Sequence, residues 1–391
     1  MNTQEFLINS NLPTPCYIID ENALINNCKI LKNVQDDTGC KILLAQKAFS
    51  NFDVYDVISP YLAGTEASGL YEARLGAEHM PNKECHVFCA AYKDDEFDEI
   101  LKYADHIVFN SPNQLKKYGP KAKTYGKSIG LRINPECSTQ KGHEIYDPCA
   151  PKSRLGTTLS MWNEMMSDDL IEMLDGLHFH TLCEQNSDAL SITLKSVEEK
   201  FGKYLHKMKW LNMGGGHHIT RADYDIALLK ECIKNVQDKY NLEIYLEPGE
   251  AIALNAGYLL TSVLDIIHNN MDIAILDMSA ACHTPDVIEM PYKPPLYNFC
   301  EPNEKKYTYR FSGPTCLSGD IIGDYSTNEP LKIGNKIIFE DMAIYSMCKN
   351  NTFNGMPLPS IYFLRTDNSI ELLAKFGYED FKCRLGKTTV S

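Results

Sequence analysis

Glu247-Pro248-Gly249-Glu250 sets two carboxylates three residues apart at the end of an apolar run, Ile244-Tyr245-Leu246. Upstream, Asn212-Met213-Gly214-Gly215-Gly216 ends another apolar run with three glycines. The first stretch could hold a cationic ring or amine, the second a phosphate. A carboxylate such as Glu247 can accept a hydrogen bond from a pyridine nitrogen and keep it protonated, which makes the ring a stronger electron sink. A structural salt bridge or a helix cap would use the same residue. Consecutive glycines let backbone N–H groups approach an anion, and a following helix adds its positive end; a tight turn at positive φ needs them equally. Together the two stretches point to a phosphorylated cofactor and make Lys47, just past Leu43-Leu44-Ala45, worth weighing. Desolvation and nearby cations favour a neutral lysine amine, which can form a Schiff base, although most lysines are solvated surface groups.

These residues need strands to position them. Eight strand-length apolar runs span the first two thirds of the chain, at 41–45, 63–68, 86–90, 106–110, 129–134, 176–180, 210–214 and 243–249. Helical patterns fill most of the intervals. Leu190, Leu194, Val197, Phe201 and Leu205 share one face between Asp188 and His206, as do Leu228, Leu229, Cys232 and Val236 between Tyr224 and Tyr240. Alternating strand and helix implies parallel pairing, and eight units predict a closed (β/α)8 TIM-like barrel over residues 20–257. An open doubly wound sheet would carry its phosphate turn after the first strand, whereas here the glycines follow the seventh. Beyond residue 258 strand-like runs follow one another without helices between them. They predict a mainly antiparallel β-sandwich or barrel domain over 258–391, with 1–19 joining it.

In such a barrel, active-site residues sit at the C-terminal strand ends. Lys47, His180, the glycines and Glu247 all fall there. Arg132, ending the fifth strand, could orient Glu247 or be a plain ion-pair partner. His178-Phe179-His180 puts two imidazoles on one face, and Glu184, His217 and His218 strengthen a metal reading. Metal-hydrolase barrels usually carry such a pair on the first strand, and no matching downstream pattern is obvious. No metal is therefore expected, and stacking on a flat cofactor is the better role for His180. Gly313-Pro314-Thr315-Cys316-Leu317-Ser318-Gly319-Asp320 joins a turn to a thiol and an acid; a buried small hydrophobe is the usual fate of a free cysteine.

Bulk properties narrow the partners. The 391 residues carry a formal net charge of −14, which argues against nucleic acid or an anionic membrane and favours a cationic ligand. Fourteen cysteines are scattered without a Cys-x-x-Cys. With no secretory start visible, they read as reduced thiols of a cytoplasmic protein. The window from Ala251 to Ile267 is too short and polar to span a bilayer.

The motifs in this order resemble the fold-type III pyridoxal-phosphate decarboxylases, the alanine-racemase-like barrels. The residues that carry the resemblance are Leu44-Ala45-Gln46-Lys47, Ser153-Arg154-Leu155-Gly156, His178 to Glu184, Gly214-Gly215-Gly216-His217-His218-Ile219-Thr220, Glu247-Pro248-Gly249-Glu250 and Pro285 to Tyr292. The His-His after the glycines and the Glu after Glu-Pro-Gly resemble the branch that decarboxylates carboxynorspermidine and carboxyspermidine. The resemblance implies pyridoxal 5'-phosphate carried by Lys47, stacked on by His180, paired at its ring nitrogen with Glu247, and held at its phosphate by the glycine loop with Tyr345. It also implies a homodimer in which Cys316 and Asp320 come from the partner subunit, with Cys316 returning a proton after CO2 leaves. Ornithine-type members place an arginine directly after Glu-Pro-Gly, against the phosphate. Here Glu250 replaces it, and an anion near a phosphate costs on the order of 1 kcal/mol or more unless it faces a cation. A polyamine substrate supplies that cation, so Glu250 and Asp286 are the expected amine-binding residues. A diaminopimelate decarboxylase is the alternative within the fold, and Glu250 counts against it. A non-catalytic cofactor carrier lacks the second domain.

Overall fold

A computed structural model describes residues 2–140 and 146–387. The chain divides into two compact units, Ile25–Ile252 and Met1–Leu24 with Ala253–Ser391. The expected division at 20 and 257 differs by five residues at each junction, because the split falls inside the helix Glu21–Thr38 rather than at its start.

Strand β1 (Cys16–Asp20) belongs to the second unit. The next eight strands form the first: β2 (Lys41–Ala45), β3 (Gly64–Ala67), β4 (Glu84–Phe88), β5 (His106–Phe109), β6 (Ser128–Arg132), β7 (Gly176–His178), β8 (Trp210–Asn212) and β9 (Glu243–Leu246). Each pairs in parallel with the next, and β9 returns to β2, closing the barrel. Between strands, helices press an apolar face inward. Ser187–Leu205 buries Leu190, Leu194, Val197, Phe201 and Leu205. Ile226–Tyr240 buries Leu229, Cys232 and Val236, with Leu228 only half-buried.

The barrel interior is layered. Leu43, Val108, Trp210 and Tyr245 pack across its middle. Gly130 and Gly176 make room for the indole: a Cβ on Gly130 would lie 2.3 Å from Trp210 Cη2, and one on Gly176 2.0 Å from Cδ2. This plug separates the C-terminal strand ends from the N-terminal ones, so the barrel is a packed core and not a pore.

The second unit contains β1, β10 (Gly257–Asn269), β11 (Met271–Leu276), β12 (Tyr307–Ser312), β13 (Ile321–Thr327), β14 (Lys336–Glu340), β15 (Ser360–Leu364) and β16 (Ile370–Ala374). They form one connected eight-stranded sheet rather than a sandwich of two, because the 13-residue β10 serves β1, β11 and β14 along its length. β1 with β15 and β11 with β12 pair in parallel; the remaining pairings are antiparallel. In β13 Gly323 and Asp324 interrupt the apolar pattern. The strand forms because Asp324 pairs with Arg310 on β12, at 2.7 and 2.9 Å. Among the described residues no helix is long and apolar enough to cross a membrane.

Candidate active site

A cavity of about 290 Å³ opens at the C-terminal ends of the barrel strands. Lys47 reaches it from the turn after β2, Glu66 from β3, Phe88 from β4, Arg132 from β6, His178 and His180 from β7, and Glu247 from the end of β9. Alternation along each strand explains the set: Arg132, His178 and Glu247 lie in register with inward-facing neighbours, and His180 is two residues beyond His178.

Glu247 is the electrostatic centre. It is 5% exposed. Its Oε1 accepts from Asn212 Nδ2 at 2.5 Å, and its Oε2 lies 3.1 Å from His178 Nε2. Burial opposes its charge, but His178 and the Asn212 amide outweigh that and hold its pKa below the ordinary carboxylate value. Burial keeps His178 neutral against the pull of Glu247. A carboxylate can only accept, so His178 carries its proton on Nε2, which leaves buried Nδ1 without a partner. The cavity's other acid behaves oppositely: burial, reinforced by Glu247, pushes the Glu66 pKa well up. The two neighbouring carboxyls are thus shifted in opposite directions, Glu247 toward its charged form and Glu66 toward its protonated form.

Arg132 makes no ion pair with Glu247 among the described residues. Its Nη2 donates to the His180 carbonyl at 3.2 Å and its guanidinium lies 4.6 Å over the Phe88 ring. Burial brings its pKa down to about 10, so it remains a cation, and one that steadies the His180 backbone. The residues holding Glu247 are Asn212 and His178. Neither was assigned that role from the sequence. The His-x-His face was the available signal, with its first member left unused.

His180 is fixed by the glycine turn. Gly215 N–H donates to His180 Nδ1 at 3.0 Å, which places the ring proton on Nε2. Burial, with Lys47 and Arg132 nearby, keeps this ring neutral. The glycines are sterically required: a Cβ on Gly214, Gly215 or Gly216 would lie 2.3, 2.4 or 2.0 Å from a backbone oxygen of Phe179, Glu247 or Leu182. The amides do not all face an anion, however. Gly214 N–H donates to Asn212 Oδ1 at 2.9 Å and Gly215 N–H to His180, which leaves Gly216 N–H as the amide of the triplet without an acceptor among the described residues. Lys47, by contrast, is exposed and makes no ion pair or hydrogen bond among the described residues.

Glu250 opens the short helix Glu250–Ala253, and its Oε2 lies 3.1 Å from His218 Nε2. Glu184, at φ 52°, brings a second carboxylate; one ligand atom from each of the three residues lies within 4.8 Å of the others. The histidines grouped in the metal reading do not converge on one point. His178 serves Glu247, His180 serves Gly215, and His217 Nε2 faces the Met213 carbonyl at 3.3 Å.

The remaining predicted residues lie in the sheet unit. Cys316 is exposed, with Sγ 2.6 Å from Asn354 Oδ1. Asp320 is buried, and its carboxylate accepts from Thr315 Oγ1 at 2.6 Å and from Ala281 N at 3.3 Å, closing its own turn. Asp286 is paired with Lys349, which also reaches Glu289 at 2.6 Å. Tyr345 adopts the left-handed conformation at φ 56°, directly before the helix Ser346–Lys349.

A family model described as pyridoxal-dependent decarboxylase, C-terminal sheet domain, matches residues 16–343. The chain belongs to the pyridoxal-dependent decarboxylases. It is 42% identical to the carboxynorspermidine/carboxyspermidine decarboxylase of Campylobacter jejuni, over 95% of this chain and 98% of that one. It is 40% identical to the carboxyaminopropylagmatine decarboxylase of Synechocystis, over 96% of each. The crystal structure of carboxynorspermidine decarboxylase from Campylobacter jejuni complexed with norspermidine superposes with a TM-score of 0.88 at 41% identity, covering 95% of this chain and all of that one.

The decarboxylase's cofactor is pyridoxal 5'-phosphate, and the cavity fits it. A buried Glu247 held toward its charged form suits a protonated ring nitrogen, the His180 ring offers a flat face and the Lys47 amine suits a carbonyl carbon, while the glycine turn that bonds His180 carries an unpartnered N–H, that of Gly216, suited to a phosphate. Phe88 and Leu155 supply apolar wall beside these polar groups.

Proposed function

We propose that this decarboxylase acts on carboxynorspermidine, carboxyspermidine or both, forming norspermidine or spermidine in polyamine biosynthesis, and that it works as a cytoplasmic homodimer with shared active sites. The reading rests on Glu250. An acid stands where ornithine-type members carry arginine, and Glu184 and His218 gather beside it. Two carboxylates against one imidazole make an acidic cluster, which suits the distal ammonium of a polyamine. The named relatives act on substrates of that kind.

In this assignment Lys47 holds the cofactor covalently, Glu247 keeps a negative charge at its ring nitrogen, His180 stacks on it, and the glycine turn and Tyr345 secure its phosphate. The bound cofactor supplies a ring that takes up the electron pair freed when the substrate carboxylate leaves as CO2. Arg132 fixes the backbone that aims His180. Cys316, contributed across the dimer, delivers a proton from Sγ to the α-carbon. Asp286 already holds Lys349 and Asp320 already holds Thr315, whereas Glu250 holds a histidine, His218, beside a second carboxylate, Glu184, so Glu250 is assigned the larger share of amine binding.

A second reading, a guanidinium-ended carboxylated polyamine, is favoured by the 40% identity to the Synechocystis relative. Steady-state rates on carboxynorspermidine, carboxyspermidine and carboxyaminopropylagmatine, with diaminopimelate as control, test both. One of the polyamine substrates is expected to exceed diaminopimelate in kcat/KM by about 10²-fold or more, since a site built for a charged group strongly rejects an ill-matched one. Equal or better turnover of diaminopimelate overturns the proposal. Glu250→Gln is expected to raise KM more than it lowers kcat.

A further inference from the structure

One buried acid of the cavity has no part in the reaction described above. Glu66 is 4% exposed and lies on β3 directly opposite Ala45 of β2. Gln46 N–H donates to its backbone carbonyl at 3.1 Å, so β3 is tied to the turn that carries Lys47. The side chains of Glu66 and Lys47 line the same cavity. Lys47 also acts on Glu66 electrostatically, opposing the upward push of burial and Glu247.

The other titratable groups around Lys47 are engaged. Glu247 uses both oxygens, one on Asn212 and one on His178. His180 Nδ1 accepts from Gly215 N–H, and burial keeps both imidazoles neutral. Arg132 and Arg154 carry guanidiniums, which have no acceptor lone pair. Glu72, whose carboxylate also feels Lys47, has Oε2 bonded to Ser68 N–H at 2.6 Å. Among the described residues the Glu66 carboxyl makes no hydrogen bond or ion pair, which leaves it open to exchange a proton.

Attachment of a lysine to a carbonyl carbon requires such a group. An ammonium has no lone pair with which to attack. Of its three hydrogens, two leave with the carbonyl oxygen as water, and the third must pass to a base. We propose that Glu66 is that base: it accepts the third proton as Lys47 Nζ bonds to the cofactor's carbonyl carbon and returns it when water reverses the step. The proposal rests on the reading that Lys47 holds the cofactor covalently. Raising a carboxyl's pKa makes its ionised form a stronger base, so burial suits Glu66 to the exchange better than a solvated acid. The same shift limits the time Glu66 spends ionised, which keeps it from trapping Lys47 as Glu84 and Glu243 trap Lys41.

Rapid mixing of cofactor-free enzyme with pyridoxal 5'-phosphate tests this with no substrate present. Visible absorbance of the linked cofactor gives the rate of attachment, and borohydride reduction with peptide mapping locates the link. Glu66→Gln, matched in shape to the protonated acid, should attach the cofactor about 10²-fold more slowly. Its affinity for pyridoxamine 5'-phosphate, which has no carbonyl carbon to attack, should stay within a few-fold of the wild type and shows that the cavity is intact. Glu66→Asp should recover most of the rate, and Glu72→Gln should match the wild type. Attachment at the wild-type rate in Glu66→Gln overturns the proposal. So does equal slowing in Glu66→Asp or in Glu72→Gln, which would make shape or overall charge the cause. A label missing from Lys47 in the wild type would overturn the reading of Lys47 itself, and this proposal with it.

Discussion

At the C-terminal ends of the strands Lys47, Glu66, Glu247, His178 and His180 surround a cavity; at the N-terminal ends Lys41, Glu84, Glu243, His86 and His106 close on one another. The residue types are the same and the barrel interior is common to both. The difference lies in how the amine is treated. Lys41 is caught between two carboxylates and the Tyr245 hydroxyl at 3.2 Å. Lys47 has no such partner among the described residues. The acids differ in parallel. Burial opposes the charge on Glu84, but His86 and Lys41 pull its pKa down to about 2, whereas burial and Glu247 push Glu66 up. A nucleophile must be left unsatisfied by the fold, and a strut must be satisfied. Among the described residues, Lys41 is satisfied and Lys47 is not.

The largest expected effect separates the two lysines. Lys47→Ala should lower kcat by about 10²- to 10⁴-fold, while Lys41→Ala should leave kcat within a few-fold and lower the unfolding midpoint. Steady-state rates and denaturant titration of the two variants check this. Comparable loss of turnover in folded Lys41→Ala would break the comparison.

Next is the support of Glu247. Asn212→Leu strips one donor from a buried carboxylate, so cofactor affinity and kcat should fall together and stability should drop by about 1–3 kcal/mol. Glu243→Gln at the other end, half-exposed, should cost less than about 1 kcal/mol and leave kcat alone. Absorbance of the bound cofactor and chemical unfolding separate the outcomes.

Two glycine substitutions sharpen the contrast sterically. Gly215→Ala would set a Cβ 2.4 Å from the Glu247 carbonyl oxygen and should weaken cofactor binding. Gly130→Ala would press on Trp210 and should cost about 1–3 kcal/mol of stability with cofactor affinity unchanged. Cofactor titration of each variant, set beside its unfolding curve, is the measurement.

The smallest expected effect is on pH. Burial lowers His217 in the barrel and His283 in the sheet unit to about 4 from an ordinary 6.5. Between pH 6.5 and 4 the unfolded chain therefore binds more protons, so stability is full above 6.5 and falls as pH drops, by up to about 1.4 kcal/mol per pH unit for each histidine. In His283→Asn the pH slope of the unfolding free energy should become shallower over that window. An unchanged slope would show that the imidazole at 283 contributes nothing to it.

Strand order and barrel closure were readable because apolar runs alternate with helical patterns, and every strand of the barrel falls on a run picked out from the sequence. Lys47, His180 and Glu247 were readable because the end of a parallel strand is a definable place in a sequence, and all three line the cavity. The partners of Glu247 were not. Asn212 looked like the lead-in to a glycine turn, and His178 like a spare half of a metal pair. Which donors reach a carboxylate depends on the register of β7, β8 and β9, set by pairings 34 and 33 residues apart in the chain. The glycine triplet was legible as a necessity but not in its use, since two of its three amides bond within the protein.

The sequence by itself determined the alternation that closes a barrel, the strand ends where a lysine, a histidine and an acid must appear, and the second acid, Glu250, three residues after Glu247. These are local properties, fixed by periodicity and by residue type at a strand terminus. Tertiary structure alone decided which of two similar clusters is left open. Lys41 and Lys47 are six residues apart at opposite ends of one strand, each beside acids and histidines. What separates them is the layer of Leu43, Val108, Trp210 and Tyr245 between, which isolates the two ends and lets Glu84 and Glu243 satisfy one lysine while the cavity leaves the other unpaired.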